Sequence, residues 1–285
     1  MSTPHTASYR RLVLGLQYNH IEPSALRVAG DLARSLDLEM LAVLVEDRSI
    51  IDAASLPFAR EFRLPTHDWH PADRRRLALD LQVAADRIHR QLAHEILATG
   101  IDCRFEVKTG DPATTILAFI GLHDIVAVME PGDALGRLNT ITERMREAAL
   151  ASEASVLLLP GHPIPAGGPV IALVAGATDP ALSLAASIAA RSARDLVVLT
   201  AMPGADLTDI ARQAGRAVGL SPDKVELATL GSEAAIPVLH ALTGRRGQFL
   251  VMSRAMSGFP PAGLDDLSAG LGIPILVIEA AQGTR

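Results

Sequence analysis

Cysteine is nearly absent from this chain: Cys103 is the only one in 285 residues. That excludes an intramolecular disulfide and any multi-cysteine metal cage. Aromatic residues are scarce as well, at 3%, which leaves little to stack on the bases of a single strand. A basic excess is missing too. Lys and Arg number 26 against 32 Asp and Glu, a formal net charge of −6, so the chain carries no electrostatic footprint for nucleic acid. No uninterrupted apolar run reaches the ~18 residues of a membrane helix. The nearest approach, residues 116–129, is broken by His123 and Asp124. The opening MSTPHTASYRR has no apolar core of the kind a secretory leader carries. The expectation is a cytoplasmic chain with no nucleic-acid partner and no membrane insertion.

What is present is apolar and periodic. The hydrophobic fraction is 49% and the mean hydropathy +0.26, enough for real cores. The length is nearly twice the ~150-residue prior for one domain, which suggests two. Short apolar runs at 12–16, 40–47, 124–130 and 156–159 predict strands buried on both faces, and the alternation of 103–107 predicts another. Between them, apolar residues recur at three or four positions. Helices are expected from Ser24, from about Ala72 to a stop at Gly100, from Pro112 behind an Asp111 cap, and over 138–152.

Residues 160–169, PGHPIPAGGP, hold four prolines and three glycines and predict a linker. The order then begins again, with strands at 170–174, 195–200, 224–230, 248–253 and 274–279 and helices at 180–193, 207–218 and from Gly231. KTGDPATTILAF at 108–119 matches TLGSEAAIPVLH at 229–240, a shift of 121 residues. Strands alternating with helices demand right-handed crossovers and a mostly parallel sheet. The fold class is therefore α/β, two tandem doubly wound domains of five strands each. The first spans 8–160, the linker 161–168 and the second, shorter domain 169–281.

LAVLVEDRSIIDAASLPFAREF (41–62), VKTGDPATTIL (107–117) and ITERMREAA (141–149) together resemble tandem universal stress proteins, and the resemblance extends over nearly the whole chain. It implies a five-stranded parallel sheet with four helices per domain, and pairing of the final strands, 156–159 with 274–279, into an intramolecular pseudo-dimer. One branch of that family binds ATP through G-x2-G-x9-G-[S/T] after the fourth strand, where backbone amides at a helix start hold phosphates. The resemblance places the corresponding pocket here at Gln17, Val45, Gly132, Gly136, Asn139 and Thr140. The sequence departs from the pattern. Three residues instead of two separate Gly132 from Gly136, and only Arg137 and Leu138 separate Gly136 from Asn139-Thr140. In the second half Pro261 stands near that position, and proline lacks the amide donor. Where many members carry Asp after strand one, this chain has Gln17 and Ala175.

Other chemistry is thin. His67-Asp68-Trp69-His70 has ligand types for zinc but no third histidine or cysteine beside it. His89 and His94 lie five apart and do not share a helix face. Neither G-x-S-x-G nor G-x4-G-K-[S/T] occurs. Cys103 falls in a predicted strand, where a buried inert thiol is expected. No catalytic residue and no metal site is assigned. The segment 48–71, with Ile50, Ile51, Leu56, Phe58 and Phe62, is either a cover or docking surface or a short helix packed on its own domain. The functional expectation is a non-enzymatic stress-response protein with degenerate ATP loops, acting through a protein partner or small ligand, with a homodimer of the whole chain as a further option. The alternative is an ATP- or AMP-binding switch with weak ATPase activity in the first-domain cleft. No cofactor is assigned; the candidate is ATP or another adenine nucleotide.

Overall fold

Strands whose residues are apolar on both faces must be covered on both faces, and that requirement sets the architecture. The computed structural model describes residues 9–18, 21–63, 67–130, 140–164, 167–176, 178–200, 219–230, 249–254 and 270–279, with single positions at 215, 238, 242, 247, 264 and 267. The helices expected over 207–218 and from Gly231 lie almost wholly outside them.

The first half contributes β1 (Arg11–Leu16), β2 (Glu39–Asp47), β5 (Cys103–Gly110), β6 (Asp124–Met129) and β7 (Ser155–Leu159). Its helices are α1 (Pro23–Leu36), α3 (Arg74–Leu97), α4 (Pro112–Leu117) and α5 (Thr140–Ala151). The second half contributes β8 (Val170–Val174), β9 (Leu196–Thr200), β10 (Val225–Thr229), β11 (Phe249–Ser253), β12 (Ile275–Ile278) and α6 (Pro180–Arg191). Ten strands join in one sheet, in the order β10-β9-β8-β11-β12-β7-β6-β1-β2-β5. Each half has the same internal order, and every neighbouring pair is parallel except one. At the centre β12 runs antiparallel to β7, with Ile275 opposite Leu158 and Val277 opposite Val156.

Alternation along the strands divides the core into two layers. Leu12, Leu14, Met40, Ala42 and Leu44 point toward α1 and α3, meeting Leu26, Leu32, Ile88 and Leu92. Val13, Leu41, Val43 and Val45 point the other way, toward Ile116 of α4 and Met145 and Ala149 of α5. On the first face α1 and the end of α3 approach closely. A Cβ on Gly30 would lie 2.8 Å from Thr99, whose hydroxyl is itself held by the Ile96 carbonyl at 2.7 Å.

Helix boundaries follow their caps. The Asp73 carboxylate accepts from the Arg75 and Arg76 amides, so α3 starts two residues after Ala72. Asp111 accepts from the Thr114 amide and Pro112 fills N1 of α4, as expected. α3 ends at Leu97, and the left-handed residue that turns the chain is Gly100, one position beyond the C′ place expected for it. Pro180 begins α6 behind Asp179, whose carboxylate accepts from the Ala175 and Ala181 amides.

The halves are tied beyond the β7–β12 ladder. Arg254 reaches across to donate to the Ser152 and Ala154 carbonyls at 2.8 and 2.7 Å and to Leu150, and it pairs with Glu279 at 2.9 Å. A cation there offsets the negative end of α5. Arg191 donates to the Ser35 carbonyl at 3.0 Å, and the linker amide of Ile164 to the Ser24 hydroxyl at 2.9 Å.

The segment 48–71 contains regular structure: α2 (Arg48–Ala53) and a two-stranded antiparallel hairpin, β3 (Arg60–Arg63) and β4 (Asp68–Pro71). No residue of α2 is buried.

Candidate functional site

Open parallel sheets bind ligands beyond the carboxyl ends of their strands, and in the first half that edge has two sides. Toward α5, the chain leaving β1 places Gln17 in a buried position. Its amide nitrogen donates to the Met145 sulfur at 3.2 Å, and its oxygen accepts from the Thr142 hydroxyl at 3.1 Å. Both ends of the amide are thus engaged by the first two turns of α5. The packing is close, since a Cβ on Gly15 would lie 2.6 Å from the Met145 methyl. Val45 is buried on the same side. Arg144 of α5 pairs with Asp111, the cap of α4, and links the two helices. The amide of Thr114, then its hydroxyl and Arg144, hold the Asp111 carboxyl below its ordinary value.

Toward α3, the parallel register sets Glu46 of β2 opposite Thr109 of β5. The Tyr18 hydroxyl donates to one carboxylate oxygen of Glu46 at 2.6 Å, and the Thr109 hydroxyl to the other at 2.9 Å. Burial, and then the adjacent Glu46 carboxylate, raise the Tyr18 pKa, so the phenol remains a donor across the physiological range. Beyond this clamp lies a cavity of about 380 Å³ between α2 and the start of α3. Glu46, Arg48, Asp52, Arg74 and Thr109 supply its polar lining, with Ile51, Leu77 and Leu81 as apolar wall. Its size is within the range of small-molecule pockets. Arg48 faces Asp52 at 3.6 Å.

The residues expected from sequence fall unevenly. Gln17 and Val45 are placed together on the α5 side. Gly132, Gly136 and Asn139 lie outside the described residues, and Thr140 is the first residue of α5. The Tyr18–Glu46–Thr109 clamp is not apparent in the sequence, because only strand register brings those three together. Among the described residues no group of three His, Cys, Asp or Glu could hold a metal ion. His67 meets the Phe62 ring edge-on at 6.3 Å, and His89 stacks on Phe105 at 4.7 Å. Cys103 sits on the edge strand β5, partly buried, and burial pushes its thiol up to about 11. That favours the unreactive protonated form. Among the described residues, no helix is long and apolar enough to cross a membrane.

No protein-family model and no curated protein matches the chain. Solved structures do. A universal stress protein from Archaeoglobus fulgidus superposes with a TM-score of 0.64 over 98% of this chain and 99% of its own, at 14% identity. The fold is that of the universal stress proteins. A Pseudomonas aeruginosa chain described as a universal stress protein matches with a TM-score of 0.53 at 15% identity. A P. aeruginosa protein of unknown function matches at 0.54 and 16%, and each of these two covers 96% of this chain and 94% of its own. The universal-stress fold thus extends over nearly the whole chain, with α2 and the β3–β4 hairpin lying between β2 and α3.

Proposed function

We propose that this chain is a tandem universal stress protein, cytoplasmic, that works by binding a partner or small ligand and does not turn over a substrate. Its two units span 8–160 and 169–281. The observation carrying this reading is Gln17. It stands where the resemblance places an aspartate beside the nucleotide, and both ends of its amide are occupied by α5. The shortened stretch from Gly132 to Thr140 supports the same conclusion, because a triphosphate needs several aligned amides. A small ligand would instead use the α3 side, where Glu46, Arg74 and the apolar wall of the cavity offer both polar and apolar contacts. A thermal-shift panel with ATP, ADP and AMP, run beside a phosphate-release assay with magnesium, tests the reading. It expects no stabilisation by nucleotide and no turnover. Stabilisation by ATP, or phosphate released above a no-protein control, supports the nucleotide switch with weak ATPase activity.

A further inference from the structure

Seven of the eleven exposed large apolar side chains among the described residues fall between Ile50 and Val83, so that surface is concentrated on α2, the hairpin and the first half of α3. Register sorts the hairpin's charges. Residues opposite one another in an antiparallel pair share a face. Arg60, Phe62, Trp69 and Pro71 therefore lie on one side, and both acids, Glu61 and Asp68, lie on the other with Arg63 and His70. The Phe62 and Trp69 rings are 5.3 Å apart, and Phe58, 78% exposed, precedes the strand. Arg60 donates to the Trp69 carbonyl at 3.0 Å, which keeps a cation on the side of the rings.

The start of α3 continues that sign. The Ala72 amide donates to the Ala59 carbonyl at 2.9 Å and closes the base of the hairpin just before Arg74, Arg75 and Arg76, all exposed. The acids nearby are already engaged or turned away. Asp52, Glu61 and Asp80 face Arg48, Arg63 and Arg76 at 3.6, 2.6 and 3.9 Å. Asp73 caps α3, and Asp68 is on the hairpin's far side. Arg60, Arg74 and Arg75 have no ion pair among the described residues. Leu79 and Val83, 63% and 66% exposed, follow Arg75 at four-residue steps and extend its helix face.

We propose that the ring side of the hairpin, with the arginines beside it, adsorbs to the surface of an anionic lipid bilayer. Aromatic rings and leucines settle at the boundary between headgroups and acyl chains, and nearby arginines gain from anionic headgroups. Screening confines each charge to about 8 Å, so the bilayer meets this local set of cations and not the net −6 of the whole chain. A single strand of nucleic acid is offered less, because the two hairpin rings are tilted by 58° and present no parallel faces to its bases. An acidic peptide would use the arginines and leave the rings wet. The contact is with one leaflet and needs no spanning helix, and it does not depend on what the cavity beside Arg74 binds.

Trp69 is the only tryptophan, so its emission reports on this face alone. The full chain is mixed with vesicles of phosphatidylcholine, with or without roughly 30% phosphatidylglycerol, at about 50 and 300 mM salt. Co-sedimentation and Trp69 emission are read together. The expected result is binding to the anionic vesicles at low salt with a blue shift, weakened about tenfold or more by high salt or by omitting the anionic lipid. Arg75→Gln with Arg76→Gln, and separately Phe58→Ser with Phe62→Ser, each weaken it about tenfold or more, while circular dichroism is unchanged. Absence of binding to the anionic vesicles at low salt overturns the proposal, as does binding that either folded double variant leaves unchanged. A blue shift with polyglutamate and none with vesicles assigns the face to an acidic protein and equally overturns it.

Discussion

Gly30 decides how near α1 comes to the end of α3. Replacing it with alanine gains about 1 kcal/mol of helix propensity. The new methyl, however, meets Thr99 at 2.8 Å, and Thr99 is pinned by Ile96 and cannot swing aside. Overpacking of this kind costs about 1–3 kcal/mol. The expected net effect of Gly30→Ala is a loss of about 1 kcal/mol by urea denaturation, and adding Thr99→Ala recovers most of it. Asp111 gives a pH signature at the same scale. Its carboxyl is held below the ordinary value in the folded chain. Its contribution is therefore complete above the unfolded value and lost as pH falls through the lower folded one. Melting temperatures of the wild type and Asp111→Asn should converge as pH is lowered from about 6 to 3, and a constant gap would contradict this.

At the scale of elements, β1, β2, β6, β7 and β8 declare themselves as apolar runs, and α1 and α3 as stripes with three- and four-residue spacing. Asp111-Pro112 specifies the start of α4 because capping is local chemistry. The hairpin was not legible. Its strands are only four residues long, and its apolar members face water, so neither length nor polarity carried the usual signal. The Tyr18–Glu46–Thr109 clamp was hidden for another reason: Tyr18 and Glu46 are 28 residues apart and Glu46 and Thr109 are 63 apart, and only the β1–β2–β5 register joins them. Gln17 was visible as a departure, but its two partners on α5 were not. The clamp also makes a prediction. Tyr18→Phe leaves one oxygen of Glu46 without its protein donor, and the group is partly solvated. The expected loss is no more than about 1 kcal/mol, with any ligand of the adjoining cavity bound more weakly, read by calorimetry.

At the scale of the molecule, the two halves share one order of strands and differ in what they add. The first carries α2 and the hairpin, and the antiparallel β7–β12 contact turns two five-stranded sheets into one. Arg254 is the principal side-chain tie, because it satisfies carbonyls at the end of α5 from the opposite half. Arg254→Ala strips those carbonyls of a charged donor and should cost about 2–4 kcal/mol, with Arg254→Lys restoring only part, since lysine lacks the planar fork. The midpoint of denaturant unfolding measures it, and a change below about 0.5 kcal/mol would remove Arg254 from the account.

The nucleotide pocket of the universal-stress fold is proposed to be lost in this chain. Calorimetric titration of magnesium ATP into the full chain tests it most directly. The expected result is no saturable heat up to roughly 1 mM ATP. A saturable isotherm below that concentration, abolished by Gly136→Val, would contradict it.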